Sequence, residues 1–286
     1  MANSLVKYRS TSIVNIDVLS FEVPVLSHTY VDGYGCIEFD GCLTRWGKSA
    51  FTNNLNLISI TLPDSLLEIG DHSFFRCSNL ETINVGENLQ TVGAFAFDQC
   101  TKLAHISLPD SVKTIGSNAF RLCWELKSFT IPRGVTRIEE WTFNAAGLTQ
   151  LTIPDNVKEI GYRAFARIPI QSLIIPGSIK EIGAIAFWCC YELEEVKICD
   201  GVEIIGRKAF AECKSLNVID WGNTVAIIEE QAFEEDVKLT SIAIPPSVKE
   251  IKWKAFSKCS SLRDVTVSNS TLIDEQAFDY IHIKRV

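Results

Sequence analysis

Apolar and polar residues alternate along short segments of this chain, and most of these segments end at a proline. In one of them Phe129 and Ile131 are apolar, whereas Ser128 and Thr130 are polar. A period of two predicts a β-strand with one buried face and one exposed face. Pro132 follows directly and cannot donate a hydrogen bond to a neighbouring strand, so we expect the strand to end there.

A period of three residues precedes each of these strands. Phe120, Cys123 and Leu126 are spaced by three, which favours a 3₁₀ turn or a single helical turn over a strand. Beyond the proline, Val135 and Ile138 are expected to point back into the core. One strand and one turn therefore form a unit that buries apolar side chains along its whole length.

This unit recurs along most of the chain. Its most regular part is a hexamer with the consensus Ile-Gly-x-x-Ala-Phe, in which the glycine is expected to permit a close backbone approach or a positive φ. Successive hexamers start 22 or 23 residues apart, at Trp46, Ile69, Val92, Ile115, Ile138, Ile160, Ile182, Ile205, Ile228, Ile251 and Ile273. Repetition at this period predicts an array in which each unit contacts only its neighbours.

A period in the low twenties with a Leu-x-x-Ile-x-Ile core is typical of a leucine-rich repeat. We therefore predict a leucine-rich-repeat solenoid, a curved array of the α/β type with about 10 full repeats. A parallel β-sheet would form its concave face, and short 3₁₀ or helical turns its convex side. The predicted organisation is a β-rich N-terminal cap over 1–45 and a repeat array over 46–286.

The combined consensus resembles the BspA-like, or Treponema-type, leucine-rich repeat. It reads Leu-x-x-Ile-x-Ile-Pro-x-x-Val-x-x-Ile-Gly-x-x-Ala-Phe-x-x-Cys, and the resemblance covers residues 46 to 286. The resemblance implies a protein that is often surface-exposed or secreted and that binds host proteins, matrix components or other microbes. It implies no shared catalytic residues.

The segment before the array shows the alternation of a cap. Apolar residues at Ile16, Val18, Phe21, Val23 and Val25 predict one strand, and Ile37 with Phe39 predicts another. A cap of this kind shields the first repeat's open edge. At the other end we expect no separate cap, so that either the charged Lys284-Arg285 tail suffices or the natural chain continues.

Composition and net charge limit the classes of partner that the chain could bind. Hydrophobic residues make up 47% of the chain and charged residues 22%, which is typical of a globular protein. The net charge of -8 disfavours nucleic acid, and no apolar stretch is long enough for membrane insertion. No signal peptide is visible in this chain, so the compartment stays open between the cell surface or secretion and the cell interior.

Ten cysteines raise the question of disulfides. Six of them occupy the same repeat position and are expected to form a ladder of buried free thiols: Cys77, Cys100, Cys123, Cys190, Cys213 and Cys259. A serine at Cys123 would lack a hydrogen-bond partner there. Cys36 and Cys42 could pair in the cap, and of Cys189 and Cys190 we expect one to point outward.

No arrangement of residues indicates catalysis. His28, His72, His105 and His282 are expected at the surface, without a second ligand at metal spacing. Neither a phosphate-binding loop nor a nucleophile elbow is present in the sequence. We predict a protein that is not an enzyme and has neither cofactor nor metal.

Two surfaces are candidates for binding. Large apolar residues at outward positions of the convex side are the first: Phe95, Trp141, Tyr162, Ile185 and Trp188. These side chains could instead lie flat over the next repeat's turns. The alternative is the one charged zone of a concave face otherwise rich in Ser and Thr: Glu194, Glu195, Lys197, Asp220, Arg263 and Asp264.

The sequence thus favours a recognition module that binds a protein, with a glycan as the other candidate, in adhesion or in contact between host and microbe. An intracellular scaffold or self-associating structural protein is the alternative.

Overall fold

The computed structural model describes residues 3–279, 281 and 283–286. Within this part of the chain the structure consists of strands and turns, with a single short 3₁₀ helix, Val18–Ser20, in the cap. Two compact units are present, Met1–Val135 with Thr142–Leu148 and Thr136–Trp141 with Thr149–Val286. The repeats of both units form turns of a parallel β-solenoid, about ten in all, which confirms the predicted fold class.

Most repeats contribute two strands rather than the single one that alternation predicted. A longer strand carries the alternating segment, and a two-residue strand precedes the hexamer glycine. The longer strand does not form over 126–131 or 149–153, so the strand expected around Phe129 and Ile131 is wrong although its burial alternates. In chain order the strands are β1 (Ser4–Ser10), β2 (Val25–Val31), β3 (Tyr34–Phe39), β4 (Arg45–Trp46), β5 (Leu57–Thr61), β6 (Glu68–Ile69), β7 (Thr82–Asn84), β8 (Thr91–Val92), β9 (His105–Ile106), β10 (Thr114–Ile115), β11 (Arg137–Ile138), β12 (Glu159–Ile160), β13 (Ser172–Ile175), β14 (Glu181–Ile182), β15 (Glu195–Ile198), β16 (Ile204–Ile205), β17 (Val218–Asp220), β18 (Ile227–Ile228), β19 (Ser241–Ala243), β20 (Glu250–Ile251), β21 (Asp264–Val267), β22 (Leu272–Ile273) and β23 (Ile283–Arg285).

In the first unit, the cap extends the sheet of longer strands. The order is β2-β3-β1-β5-β7-β9, and β1 pairs antiparallel with both β3 and β5. Ile37 and Phe39 lie in β3 as predicted. The strand expected over Ile16 to Val25 is wrong: this segment holds the 3₁₀ helix, and β2 begins only at its end. The short strands form a second sheet, in the order β10-β8-β6-β4.

The second unit has the same two kinds of sheet. Its longer strands form β13-β15-β17 and β19-β21-β23, and its short strands form β11-β12 and β14-β16-β18-β20-β22. All of these pairs are parallel, with residues of one repeat opposite their counterparts in the next. The expected C-terminal tail is instead strand β23, whose Lys284 pairs with Thr266. The last described residues therefore form a paired strand.

Linked β-turns, which we call the turn wall, connect each two-residue strand to the next longer strand in place of the expected 3₁₀ or helical turn. Amides of one repeat donate to carbonyls of the next, as from Ile185 to Arg207 at 2.8 Å and from Phe187 to Ala209 at 2.8 Å. Two non-glycine residues per repeat, such as Ile185 and Cys189, have a positive φ. This left-handed conformation costs roughly 1 kcal/mol or more per residue. The hydrogen bonds between repeats offset that strain.

The hexamer glycine permits a close approach of neighbouring repeats. At Gly183 a Cβ atom would lie 2.1 Å from the carbonyl oxygen of Ile160, so a side chain cannot be accommodated without displacing the backbone. Its φ is not positive. Of the two reasons expected for this glycine, close approach is therefore the correct one.

The hexamer phenylalanine forms the centre of the core. In the second unit Phe187, Phe210 and Phe233 are fully buried and their rings stack nearly parallel, with centroids 5.4 and 5.5 Å apart. The same stack runs through the first unit, where the centroids of Phe74 and Phe97 are 5.3 Å apart. One ring per repeat thus sets the distance between repeats.

Shortening the central ring of this stack should destabilise the second unit strongly. We expect Phe210→Ala to lower the free energy of unfolding by about 3 to 5 kcal/mol, because it leaves a cavity between two rings. Phe210→Leu, which keeps most of the volume, should cost clearly less. Urea unfolding of the two variants checks this prediction. An equal loss of unfolding free energy in both would contradict the central role of the stacked ring.

Candidate functional site

Two tryptophans and an arginine stack on the turn wall of the second unit. The guanidinium carbon of Arg163 lies 4.6 Å from the ring centroid of Trp141 and 5.1 Å from that of Trp188. Such distances are those of cation–π contacts. The three side chains come from three successive repeats and are each partly exposed.

Two further side chains complete this cluster, which we call the Trp-Arg cluster: Trp141, Tyr162, Arg163, Arg167 and Trp188. Tyr162 packs edge-on against Trp141 with centroids 5.9 Å apart, and Arg167 lies 4.8 Å from the Trp188 centroid. The Trp188 indole Nε1 donates to a carboxylate oxygen of Glu212 at 3.1 Å.

Backbone geometry holds the cluster in place. Trp141, Arg163 and Arg167 all have a positive φ, and their amides donate to the carbonyls of Tyr162, Ala184 and Trp188 in the next repeat. Each side chain therefore projects from a residue that is bound on one side to the neighbouring repeat. The cluster is organised before any partner binds.

The convex residues predicted from the sequence do not all meet. Trp141, Tyr162 and Trp188 lie together, but Ile185 is only 6% exposed, so the expectation that it projects outward is wrong. Phe95 belongs to the other unit, where it stacks on His72 with centroids 4.7 Å apart. The bridging Arg163 was missed, although aligning the repeats places it one copy after Trp141.

The charged zone on the sheet of longer strands is partly neutralised by its own residues. Lys197 and Asp220, on the neighbouring strands β15 and β17, form an ion pair at 3.3 Å. The guanidinium of Arg263 donates to the carbonyls of Ser260 and Leu262. Within the described ranges no ion pair involves Glu194, Glu195 or Asp264, so the structure joins only two of the six predicted residues.

The six aligned cysteines are buried, and each thiol donates to the carbonyl of a phenylalanine in the preceding repeat. Cys123 Sγ lies 3.2 Å from the Phe97 oxygen, and Cys213 Sγ lies 3.3 Å from that of Phe187. Burial raises the pKa of Cys77 to about 12. These thiols have a built-in acceptor, so the expectation that a serine at Cys123 would lack a partner is wrong.

Asp236 occupies the thiol position in a repeat that has no cysteine there. It lies 23 residues after Cys213 and 23 before Cys259, and it is fully buried. One carboxylate oxygen accepts the Cys213 amide at 2.8 Å, and the other has no partner among the described residues. Burial raises the pKa of Asp236 well above its usual range, and the nearby Glu212 carboxylate adds to this rise.

The other cysteines differ in part from expectation. Cys189 and Cys190 are both buried, so neither points outward, and burial raises the pKa of Cys189 to about 11. Cys36 and Cys42 are free thiols, one half-buried and one exposed.

The histidines lie in different settings. His105 is exposed, whereas His28 is half-buried in the cap with its Nε2 atom 2.7 Å from the Tyr8 hydroxyl. His282 lies outside the described residues. Over residues 3–279, 281 and 283–286, no three His, Cys, Asp or Glu side chains group as metal ligands would. In that same part, no helix has the length and apolar character needed to cross a membrane.

A family comparison identifies the repeat. Residues 44–170, 113–216 and 158–284 match the family described as BspA type leucine rich repeat region. The chain belongs to this family. The BspA-type repeats thus span the entire predicted array, and the resemblance inferred from the consensus is confirmed.

Several solved structures are similar to this chain, two of them with a TM-score above 0.5. The pneumococcal vaccine antigen PcpA is 21% identical with a TM-score of 0.59, covering 97% of this chain and 89% of that chain. A leucine-rich repeat protein from Eubacterium ventriosum is 18% identical with a TM-score of 0.53, covering 85% and 81%. A leucine rich cell surface protein from Faecalibacterium prausnitzii is 24% identical with a TM-score of 0.49, covering 90% and 86%. A search of curated proteins found no match.

The thiol ladder of the BspA-type repeats predicts an order of stability at Cys123. Cys123→Ala removes both packing and the S–H donor, and should lower the free energy of unfolding by about 1 to 3 kcal/mol. Cys123→Ser keeps a donor for the Phe97 carbonyl and should cost less. Urea denaturation under reducing conditions distinguishes them, and a serine variant as unstable as the alanine variant would show that the carbonyl does not accept.

The buried carboxyl group of Asp236 should make the stability of the folded chain depend on pH. A raised folded-state pKa means that its contribution is complete below the unfolded value of about 3.9 and is lost as the pH rises through the folded value. Between these two pKa values the parent chain loses stability as the pH rises. The free energy of unfolding of Asp236→Cys, which places a thiol at this position, should therefore rise relative to that of the parent chain, by at most about 1.4 kcal/mol per pH unit.

Unfolding free energies measured in urea from pH 4 to pH 8 provide the test. Asp236→Asn is the control, because it keeps the size of the side chain but cannot titrate. The free energy of unfolding of both variants should vary less with pH than that of the parent chain. Three parallel profiles would mean that Asp236 does not take up a proton on folding.

Proposed function

We propose that this chain is a non-catalytic recognition module that binds a protein partner through the Trp-Arg cluster. The observation that carries the proposal is the stack of Trp141, Arg163 and Trp188, which is partly exposed and held by the backbone of neighbouring repeats. Tryptophan, tyrosine and arginine are the residues that most often dominate binding energy at protein interfaces.

The composition of the wall around the cluster supports this placement. Elsewhere in the second unit the two positions between the hexamer glycine and alanine hold mostly charged or amide side chains, such as Lys208 and Gln231. The one other large aromatic there, Trp253, lies against Lys254 apart from the cluster. Large aromatic side chains at such positions are not needed for the stack of repeats. Their concentration in neighbouring repeats favours a role in binding.

The sheet of longer strands is a weaker candidate. Many of its outward residues are Ser or Thr, and its Lys197 and Asp220 already pair with each other. A partner would have to compete with that ion pair and with water. Exposed Ile174 and Val218 give it some apolar surface but no aromatic anchor.

Family membership supports a role at a cell surface or outside the cell, in adhesion or host–microbe contact. A pneumococcal protein that shares the fold is a vaccine antigen, which supports such a role. The BspA-type repeat supplies no shared catalytic residues, which favours binding without catalysis.

Replacing both tryptophans of the cluster tests the site. Trp141→Ala with Trp188→Ala should weaken capture of a protein partner from host extracts, or self-association in sedimentation, at least tenfold, since a truncated anchor costs about 2 kcal/mol or more. Thr130→Ala with Thr152→Ala, on the other surface, should leave both unchanged.

Melting temperatures of both double variants separate binding from folding, because the indoles also pack on the next repeat. The variant Trp141→Phe with Trp188→Phe keeps most of that packing and serves as a second test. Full binding by the double alanine variant, with binding lost on charge reversal of Glu195, Lys197 and Asp220, would place the site on the sheet of longer strands instead.

A further inference from the structure

The two arginines of the Trp-Arg cluster differ from Arg121 and Lys252, two other basic residues of the turn wall. Arg121 lies 2.8 Å from Asp98 and Lys252 lies 2.7 Å from Glu229, in each case an acidic partner one repeat away. Among the described residues, Arg163 and Arg167 form no ion pair. Arg76, Arg207 and Lys254 of the turn wall also form no ion pair among the described residues, so what distinguishes Arg163 and Arg167 is that both lie against the ring of Trp188.

The repeat pattern explains why no partner is present. The positions one repeat before and after Arg163 hold Trp141 and Ile185, and those around Arg167 hold Ala145 and Cys189. Indole faces take the place of carboxylates. The nearby Glu212 carboxylate is already bonded to the Trp188 indole.

Stacking also determines how Arg163 can bind. The guanidinium carbon lies within cation–π distance of Trp141, Tyr162 and Trp188, which leaves the N–H donors at the guanidinium edge for a ligand. Its Nε atom is buried and has no acceptor in the described structure. A fixed guanidinium edge matches the two oxygens of a carboxylate.

The spacing of the two arginines distinguishes between anions. Both contact the Trp188 ring, at 5.1 and 4.8 Å from its centroid, so their guanidinium carbons are at most about 10 Å apart. In an extended peptide, alternate side chains are roughly 6.6 Å apart and point the same way. Two single carboxylates on such a segment fit this arrangement, and the Glu212 carboxylate disfavours a dense dianion.

We propose that the Trp-Arg cluster recognises an acidic protein segment, in which carboxylates two residues apart bind Arg163 and Arg167 while neighbouring atoms lie on the indoles. The inference rests on the proposed function, because it assigns a partner class to the same cluster. Each bidentate pair is a charge-assisted contact, so binding weakens as salt rises.

Fluorescence anisotropy with labelled peptides tests the proposal on the full chain. The probes are (Glu-Ser)₄, its neutral counterpart (Gln-Ser)₄, and a phosphoserine peptide with the same spacing. We expect (Glu-Ser)₄ to bind at least tenfold more tightly than (Gln-Ser)₄. Arg163→Gln with Arg167→Gln should abolish that difference.

Lys102→Gln with Arg133→Gln is the matched control, since it removes the same charge from exposed positions in the other unit and should leave the preference intact. Equal binding of the glutamate and glutamine peptides, or a preference that survives the Arg163 and Arg167 changes, would overturn the proposal. Tighter binding of the phosphoserine peptide would overturn the assignment to carboxylates.

The capture assay with Trp141→Ala and Trp188→Ala decides separately on the proposed function. If Trp141→Ala with Trp188→Ala loses partner capture while Arg163→Gln with Arg167→Gln retains it, the assignment to an acidic segment is overturned and the site itself stays in place.

Discussion

The buried phenylalanine of each repeat stacks on that of the next, and the rest of each unit depends on this contact. Phe187, Phe210 and Phe233 repeat at about 5.5 Å, close to the spacing of hydrogen-bonded strands. The rings can therefore stack in the same register in which the strands and turn-wall amides of neighbouring repeats form their hydrogen bonds. In most repeats a small residue before the ring, and in many a glycine such as Gly183, leave the room that this register requires.

The same constraint produces the candidate site. Because equivalent residues of successive repeats lie next to one another, three changes at outward positions are enough to build a continuous cluster. Trp141, Arg163 and Trp188 come from three repeats and are distant in sequence, yet they stack within 5.1 Å. The left-handed residues of the cluster, Trp141, Arg163 and Arg167, are at least partly exposed, at a strain that the inter-repeat hydrogen bonds offset.

The fold followed from sequence because its signals are periodic, whereas local features without a period were missed. The interval between hexamers predicted the solenoid, and the consensus predicted its family. The cap strand β1 was missed because buried Ser4 and Ser10 hide its alternation, although Asp32-Gly33 marked the hairpin between β2 and β3. Arg163 was missed because cation–π stacking depends on which side chains become neighbours, and a scan for exposed apolar groups passes over a charged residue.

Removal of one repeat tests the central claim, that an exact register of stacked rings holds each unit together. Deleting Ile205 to Ile227 takes out one 23-residue repeat and lets Phe187 stack on Phe233, so circular dichroism should keep its shape and unfolding should stay cooperative at a somewhat lower temperature. Deleting only Ile205 to Ser215 breaks the register and should unfold the second unit. A full-repeat deletion that loses its structure as completely as the partial one would contradict the account.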